Sequence, residues 1–325
     1  MRAFVTGGTG FVGSHLVERL LEGGADVRAL VRSDPKWLAG LPVEVVRGDL
    51  GDAEALAAAL QGVDQVYHVA GLTRAPDPAA LHRANVEGTL RLLEAAEAAG
   101  VERVLVTSSL AAVGPSGPEP HTEDAPHRPV SAYGRSKAAM EQRLAERVAE
   151  REGGPAVTVV RPPAVYGPRE ADIYTVIKTA DRQRLFPIVG DPHAPALDLV
   201  HVRDLVAGMV KLMATETTAG ETYFLGGRPH SWAEIRDGVL DALGHGALTV
   251  RVPKALVGPV GAAVEGVGRL LGRYPPLNRE KAREAKEAWL VSSEKAARDV
   301  GYAPEVELAE GLRETVAWYR AHGWL

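Results

Sequence analysis

The sequence predicts an α/β protein built on a doubly wound parallel sheet, with a smaller, mostly helical C-terminal region. Three observations predict this architecture. Short, nearly continuous runs of Val and Leu alternate with helical patterns, and a glycine cluster separates the first run from the first helix. This alternation of strands and helices ends after Pro163. Strands of that composition are typical of a parallel sheet covered by helices on both faces, and right-handed crossovers make it a Rossmann-type sheet.

Strands and helices alternate through the first half, except that the second and third strands follow one another with no helix predicted between them. Strands are predicted at Ala3–Thr6, Asp26–Val31, Val43–Asp49, Asp64–Gly71, Glu102–Ser109 and Ala156–Pro162. Helices are predicted at Phe11–Leu21, Asp52–Gly62, Pro78–Ala99 and Ser131–Glu150. Apolar residues at helical spacing indicate the first helix, and Asp52 as N-cap with Gly62 as stop signal bounds the second.

The second half is organised differently. Prolines and glycines cluster between Gly167 and Pro195, and the helices predicted beyond them lie at Ser231–Leu243, Pro253–Leu271 and Glu307–His322. We therefore predict a Rossmann domain at residues 1–165 and a substrate-capping region at 166–325. The segment at about 197–225 is expected to return to the Rossmann sheet.

Composition excludes several classes of function. A formal net charge of -5 supplies no basic surface for nucleic acid, and the absence of cysteine excludes disulfides, thiolate nucleophiles and zinc–thiolate sites. The histidines lack metal-ligand spacing, so no metal is expected, and His68 and His201 are interpreted as core residues. The uncharged run in Ala255–Gly272 ends at Glu265, short of the roughly 20 apolar residues that span a bilayer. A buried or substrate-covering helix is favoured there, and a cytoplasmic location fits.

The glycine cluster has the spacing of a dinucleotide-binding turn. Gly7 allows a tight turn after the first strand, Gly10 lets the backbone approach a pyrophosphate, and Gly13 lets the helix pack closely on the sheet. The first amides of that helix, at Phe11 and Val12, are expected to contact the phosphates at the positive end of the helix dipole.

The end of the second strand helps to choose the dinucleotide. Arg32 stands where NAD-binding proteins usually place an acidic residue, and a guanidinium suits the 2′-phosphate of NADP(H). Asp34 lies nearby, so NADP(H) is favoured and NAD(H) stays open.

The chemistry is predicted from the stretch "YGRSK". Tyr133 and Lys137 are one helical turn apart and share a face, so the lysine ammonium would favour the phenolate of a proton-transferring tyrosine. Ser108 and Ser109 end the fifth strand, at the sheet edge where ligands bind, and a serine there would hold the substrate oxygen.

With these motifs the chain resembles the extended short-chain dehydrogenases/reductases, the NAD-dependent epimerase/dehydratase family, over essentially its whole length. The resembling segments are "TGGTGFVG", "GDL", "HVAG", "NVEGT", "TSS", "YGRSK", "RPPAVYGP" and "VHVRDL". The resemblance implies that Tyr133 is the acid/base, Lys137 its partner and Ser109 the third member, since Ser109 precedes Gly114 by the family's spacing.

Further roles are implied by the resemblance alone. Asp49 and Leu50 would flank the adenine, Ala70 and Gly71 would line the cofactor cleft, Asn85 would be a structural residue near the active site, and Pro163 and Val165 would contact the nicotinamide side. The helices Pro78–Ala99 and Ser131–Glu150 commonly form a homodimer interface in this family.

The substrate class is predicted from two positions at which this chain differs from the sugar-nucleotide epimerases of the family. Ala164 and Leu197 stand where sugar-nucleotide epimerases usually carry an asparagine and an arginine that hold the substrate diphosphate. Losing both would cost roughly 1.5–3 kcal/mol per charged hydrogen bond. Four other arginines could supply the missing contacts to a diphosphate: Arg169, Arg182, Arg184 and Arg228.

The C-terminal half resembles the branch of 3β-hydroxysteroid dehydrogenase-like, dihydroflavonol reductase-like and hopanoid-associated proteins, through "LFPIVGD", "VPKALVGPV" and the last 34 residues from "SSEKAARDVGY". We therefore expect hydride transfer between NADP(H) and a secondary alcohol or ketone of a mostly apolar small molecule, bound by Ser109, Tyr133, Ala164 and Leu197. The alternatives are an NAD-dependent nucleotide-sugar epimerase or dehydratase, and a non-enzymatic NAD(P)-binding sensor. The intact Ser/Tyr/Lys set disfavours the sensor.

Overall fold

The computed structural model describes residues 1–150, 153–259, 261–262 and 279–325. Of the predicted helix Pro253–Leu271, residues 254–259 and 261–262 are helical, Pro253 immediately precedes the helix, and residues 260 and 263–271 lie outside the described residues. Among the helices that are described, none is both long and apolar enough to cross a bilayer.

The strands form one large sheet and two small ones. In chain order they are β1 (Arg2–Thr6), β2 (Asp26–Val31), β3 (Val43–Arg47), β4 (Gln65–His68), β5 (Arg103–Thr107), β6 (Ala156–Arg161), β7 (Ala164–Tyr166), β8 (Leu185–Val189), β9 (Pro195–His201), β10 (Thr222–Phe224), β11 (Arg228–Ser231) and β12 (Leu248–Val252). The main sheet has the order β10-β6-β5-β4-β1-β2-β3, and every pairing in it is parallel. The predicted doubly wound parallel sheet is confirmed.

Helices cover both faces of this sheet. The described helices are α1 (Phe11–Glu22), α2 (Ala53–Ala59), α3 (Pro78–His82), α4 (Gly88–Ala98), α5 (Leu110–Val113), α6 (Ala132–Ala149), α7 (Asp172–Gln183), α8 (Val202–Ala214), α9 (Trp232–Leu243), α10 (Arg279–Glu284), α11 (Glu294–Val300) and α12 (Leu308–Ala321). One apolar cluster joins α1 and α8 to the sheet, and a second joins α2, α4 and α6 to it. The strands are therefore buried on both sides, which explains their nearly continuous apolar character.

The predicted return of residues 197–225 to the main sheet occurs only at its end. Thr222–Phe224 pairs with β6, and Val202–Ala214 packs on α1. The strand Pro195–His201 instead pairs with β7 and β11 in a separate three-stranded sheet. Strand β9 cannot pair with β6, because β10 and β5 already occupy the two edges of β6.

The capping region has its own apolar core. Side chains from α7, α9 and α12 pack around β8 and β9, with Tyr166, Phe186 and Tyr319 fully buried among them. A two-stranded parallel pair, β8 with β12, completes the region. The helices are therefore interleaved with short strands.

Arg103 joins the main sheet to the C-terminal end of α8. Its Nη1 donates to the carbonyls of Met213 at 2.9 Å and Thr215 at 2.7 Å, and its Nη2 donates to Leu212 and Thr218. A cation at the end of a helix, where carbonyls lack intrahelical partners, is favoured by the helix dipole.

We predict that Arg103→Met lowers the free energy of unfolding by about 2–4 kcal/mol, because several partly buried carbonyls lose a charged donor. Urea denaturation measures it. Arg91→Met is the control, since its exposed pair with Glu87 contributes about 0.5 kcal/mol or less. Equal stability of the two variants would contradict the role assigned to Arg103.

Candidate active site

The predicted site residues of the first domain meet at one edge of the sheet. The segments that follow the carboxyl ends of β1 to β6 begin with Gly7, Arg32, Gly48, Val69, Ser108 and Pro162 respectively. Because all six strands are parallel, these loops lie side by side. This edge is where ligands bind in doubly wound sheets.

The geometry of the glycine loop fits a dinucleotide. Gly7 has a φ of +76°, and a Cβ there would lie 2.6 Å from the amide nitrogen of Ala70. A Cβ on Gly13 would lie 2.2 Å from the carbonyl oxygen of Gly7, so only glycine allows this close packing of helix on loop. Gly10 is the N-cap of α1, and none of the described side chains caps it. The amides of Phe11 and Val12 thus begin a helix whose end suits a pyrophosphate.

The cleft next to this loop is shaped by Gly71. A Cβ on Gly71 would lie 3.0 Å from Asn85 Oδ1 and 3.4 Å from Lys137 Nζ, so a side chain would fill the space beside both groups. Ala70 is fixed on the other side, where its amide donates to Thr6 Oγ1 at 3.3 Å. Of the pair predicted to line the cofactor cleft, Gly71 therefore lies against the predicted catalytic lysine, and Ala70 lies against the end of β1 and the glycine loop.

Asn85 lies in a π-helical turn, Arg83–Glu87, that interrupts the predicted helix Pro78–Ala99 between α3 and α4. Its side chain is fully buried. The amide nitrogen donates to the carbonyl of Leu72 and to Ser136 Oγ, both at 2.9 Å, and its oxygen accepts from the Leu72 amide at 2.8 Å. Asn85 therefore fixes the loop after β4 to the helix that carries Tyr133 and Lys137.

Tyr133 and Lys137 lie on the first two turns of α6, which Ser131 caps at its N-terminus. Lys137 is only 4% exposed, and its ammonium donates to the carbonyl of Thr107 at 2.7 Å. Burial lowers the pKa of Lys137 to about 8, against the opposing charge of Glu141. Burial raises the pKa of Tyr133 to about 12, with a hydrogen bond from Ser109 acting in the opposite direction.

The two neighbouring serines have different surroundings. Ser109 is the N-cap of α5, accepts from the Ala111 amide at 3.1 Å, and hydrogen-bonds to Tyr133. Ser108 is buried and donates instead to the carboxylate of Glu141. The structure therefore brings Ser109, Tyr133 and Lys137 together and directs Ser108 away from them.

Behind Lys137 lies a buried charge network that the sequence interpretation missed. Glu141 accepts hydrogen bonds from Arg161 Nη2 at 2.6 Å and His127 Nε2 at 2.9 Å, as well as from Ser108. Burial would raise the pKa of Glu141, but hydrogen bonds from His127, Arg161 and Ser108 and the charge of Arg161 lower it to about 2. One signal was available in the sequence, because Glu141 continues the four-residue spacing of Tyr133 and Lys137.

The residues predicted to hold the adenosine half lie at the far end of the same edge. Arg32 is exposed, directly after β2. Asp49 accepts from the Gly51 amide at 2.7 Å and so shapes the turn after β3. Leu50 packs against α4, where a Cβ on Gly88 would lie 3.0 Å from Leu50 Cδ1.

On the substrate side the described surroundings are apolar. Pro163 is buried, and Val165 packs on the cluster that contains α1 and α8. Ala164 and Leu197 both pack on the core of the capping region, and they lie on the paired strands β7 and β9. The two residues predicted to replace a diphosphate-binding pair thus belong to one apolar surface.

Two of the four arginines that would compensate have other partners. Arg169 donates to Ser14 at 3.0 Å and Glu18 at 2.7 Å on α1, and its guanidinium lies 5.0 Å from the Trp37 ring. Arg228 pairs with the exposed Glu307 at 2.7 Å. Arg182 and Arg184 are exposed at the end of α7.

The two histidines interpreted as core residues differ in how completely their ring nitrogens are hydrogen-bonded. His68 is bonded to Thr6 at 2.7 Å and Thr89 at 2.8 Å, and burial lowers its pKa to about 3. His201 accepts from the Arg203 amide, but its buried Nε2 has no hydrogen-bond partner within the described part of the chain. Within that part, no group of three His, Asp or Glu side chains is arranged to hold a metal.

Comparison with known proteins gives consistent results. The model of the NAD dependent epimerase/dehydratase family matches residues 3–226. A ceramide reductase of Caulobacter vibrioides is 34% identical over 99% of this chain and 95% of its own length, and a putative dihydroflavonol 4-reductase of a Synechocystis species is 33% identical over 99% and 95%. Among solved structures, DesIV, a dTDP-glucose 4,6-dehydratase from Streptomyces venezuelae with NAD and TYD bound, has a TM-score of 0.81 at 29% identity, over 100% of this chain and 98% of that one.

We predict that Gly13→Ala weakens dinucleotide binding about tenfold or more, because the new Cβ forces α1 away from the carbonyl of Gly7. Fluorescence titration with NADPH and NADH measures the affinity, and circular dichroism checks the fold. The matched control is Gly8→Ala in the same loop, whose Cβ would meet Leu38 and Val17 at an ordinary 3.4 Å. Unchanged affinity in Gly13→Ala would contradict the placement of the phosphates.

Proposed function

This chain belongs to the NAD-dependent epimerase/dehydratase family, and we propose that it interconverts ketones and secondary alcohols of mostly apolar small molecules with NADP(H). The observation that carries the substrate class is that Ala164 and Leu197, on the paired strands β7 and β9, both pack on one apolar core and offer no polar group to a diphosphate. The names of the reductases among its relatives agree with this direction of chemistry.

The residues of this chain supply proton transfer and charge stabilisation. When bound, the dinucleotide supplies or accepts the hydride at the substrate carbon. Tyr133 donates its phenolic proton to the substrate oxygen during reduction, and its raised pKa keeps it protonated at neutral pH. Ser109 donates its one hydroxyl proton to Tyr133 in the free protein; on substrate binding that proton turns to the substrate oxygen and stabilises its developing charge.

Lys137 supports this proton transfer in two ways. Its ammonium stabilises the phenolate left on Tyr133, and it would bind the ribose next to the nicotinamide when the dinucleotide is present. The Thr107 carbonyl and the charge of Glu141 hold the ammonium in place and favour its charged form, against the effect of burial. The dinucleotide would be held by the residues of this edge. Gly7 and Gly10 would let the backbone approach the pyrophosphate, and Gly13 would keep α1 packed against the loop. Ala70 and Gly71 would line the cleft, Asp49 and Leu50 would flank the adenine, and Pro163 and Val165 would contact the nicotinamide side.

The preference for NADP(H) over NAD(H) rests on Arg32. It is exposed at the carboxyl end of β2, where the adenosine ribose is bound in such folds, and it occupies the position at which an acidic residue would bind the 2′-hydroxyl of NAD(H). The exposed Asp34 lies two residues further along the chain. A bidentate guanidinium–phosphate contact would then provide the discrimination.

The nucleotide-sugar alternative is less well supported. A substrate diphosphate needs cationic partners, yet Arg169 and Arg228 are paired with carboxylates elsewhere. The sensor alternative is disfavoured, because several relatives are named reductases and the serine, tyrosine and lysine lie together. We retain the homodimer as a proposal, with α4 and α6 as its interface.

We predict that Tyr133→Phe lowers kcat for ketone reduction by about 10²–10⁴-fold, because the proton donor is lost. Ser109→Ala lowers kcat by about 10–100-fold through loss of one donor to the substrate oxygen. Stopped-flow measurement of NADPH oxidation tests both. Ser108→Ala is the matched control, because this serine contacts Glu141, and it should affect stability more than kcat. Equal kcat losses in the two serine variants would contradict the assignment of Ser109.

We predict that Arg32→Ala raises KM for NADPH about tenfold or more and leaves KM for NADH nearly unchanged, because only NADPH carries the 2′-phosphate. Steady-state kinetics with both dinucleotides measures this. Arg19→Ala, at an exposed arginine of α1 paired with Glu22, is the control. Parallel changes in the two KM values would remove the reason for preferring NADP(H).

The function itself is tested with a panel of apolar ketones and nucleotide sugars. We expect steady consumption of added NADPH with the ketones. Purification with tightly bound NAD, and turnover of a nucleotide sugar without added cofactor, would overturn the proposal.

A further inference from the structure

A short helix of the capping region, α10, lies against the start of the catalytic helix. Glu280 Oε1 accepts from the backbone amide of Ala132 at 2.9 Å and from Arg135 Nη2 at 3.0 Å. A carboxylate at a helix N-terminus is favoured by the helix dipole, so this contact stabilises both elements together. Because Ala132 immediately precedes Tyr133, α10 is held next to the phenol-bearing turn.

Glu284 lies one helical turn after Glu280, on the same face of α10. Its side chain is 15% exposed and pairs with Lys281 Nζ at 2.7 Å. Its charge acts on Tyr133: burial is the larger cause of the raised pKa of that phenol, and Glu284 acts in the same direction. A carboxylate of the capping region is therefore within electrostatic range of the group that meets the substrate oxygen.

The backbone that carries Glu284 is fixed on its other side. The indole of Trp289 donates to the carbonyl of Glu284 at 2.9 Å. Trp289 in turn pairs with β9, donating to the carbonyl of Ala196 and accepting from the amide of Asp198, both at 2.9 Å. Leu197, on the apolar substrate side, lies between those two partners. The backbone of Glu284 is thus tied through Trp289 to the strand that carries Leu197, while Glu280 ties the same helix to the turn that carries Tyr133.

We propose that Glu284 determines substrate specificity: it favours neutral ketones with a hydrogen-bond donor beside the carbonyl and rejects ketones with an anionic group there. The inference rests on the proposed reductase function and narrows its substrate class. A carboxylate on the substrate would meet a like charge in a partly buried site, whereas an amide or hydroxyl would donate to Glu284. Lys281 opposes the rejection, since its cation attracts the same anion.

The test uses two matched ketones of equal chain length, a 3-oxoalkanamide and a 3-oxoalkanoate, with NADPH and the full chain. The wild type should show the higher kcat/KM with the amide. Glu284→Gln should lower the amide-to-acid ratio about tenfold, mainly through KM for the acid, the size expected when one partly screened charge is removed. Lys281→Gln should raise the ratio, and Glu284→Asp should preserve it.

The control is Glu287→Gln, an exposed carboxylate three residues along the same segment, which should leave the ratio unchanged. A ratio that does not move in Glu284→Gln, or that moves equally in Glu287→Gln, overturns the inference while the reductase function stands. If the wild type reduces neither ketone and no member of the wider panel, the proposed function fails and the inference fails with it.

Discussion

The ammonium of Lys137 lies almost fully buried at the carboxyl end of β5, and the surrounding structure is arranged to keep it there. Burying a cation costs several kcal/mol unless partners replace water. Thr107 supplies a carbonyl, and Glu141 supplies a negative charge one helical turn away. Glu141 must then be balanced itself, which Arg161, His127 and Ser108 accomplish. A chain of buried contacts thus extends from the lysine to β6 and to the loop before α6.

The position of the lysine ammonium also explains why residue 71 is a glycine. The backbone there passes so close to Lys137 and Asn85 that a methyl group would occupy the space beside the ammonium. The lysine is therefore enclosed by protein, and the missing side chain at Gly71 leaves space directly beside its ammonium. Because its surroundings fix the position of the ammonium, the lysine side chain loses little conformational entropy when a ligand binds.

Much of the first domain was predictable because its signals are local. Helical periodicity, the Asp52 cap, the glycine spacing and the four-residue step from Tyr133 to Lys137 all lie within a few turns of chain. The missed features depend on distant partners. Arg161 meets Glu141 across 20 residues, Glu280 meets Ala132 across 148, and β9 leaves the main sheet because β10 takes its place. No short stretch of sequence records such pairings, and the choice between Ser108 and Ser109 was likewise decided by the family's spacing.

The π-helical turn at Arg83–Glu87 has a consequence for how this chain tolerates insertions and deletions. A π turn closes its hydrogen bond over five residues where an α turn uses four, so it contains one residue more than the helix needs. Removing one residue from this turn would let a regular α-helix form, at little cost in backbone hydrogen bonding. The same deletion would rotate Asn85 about the helix axis, so that its side chain would no longer reach Leu72 and Ser136. A deletion that this helix can accommodate would therefore give a well-folded product whose active site has lost its alignment.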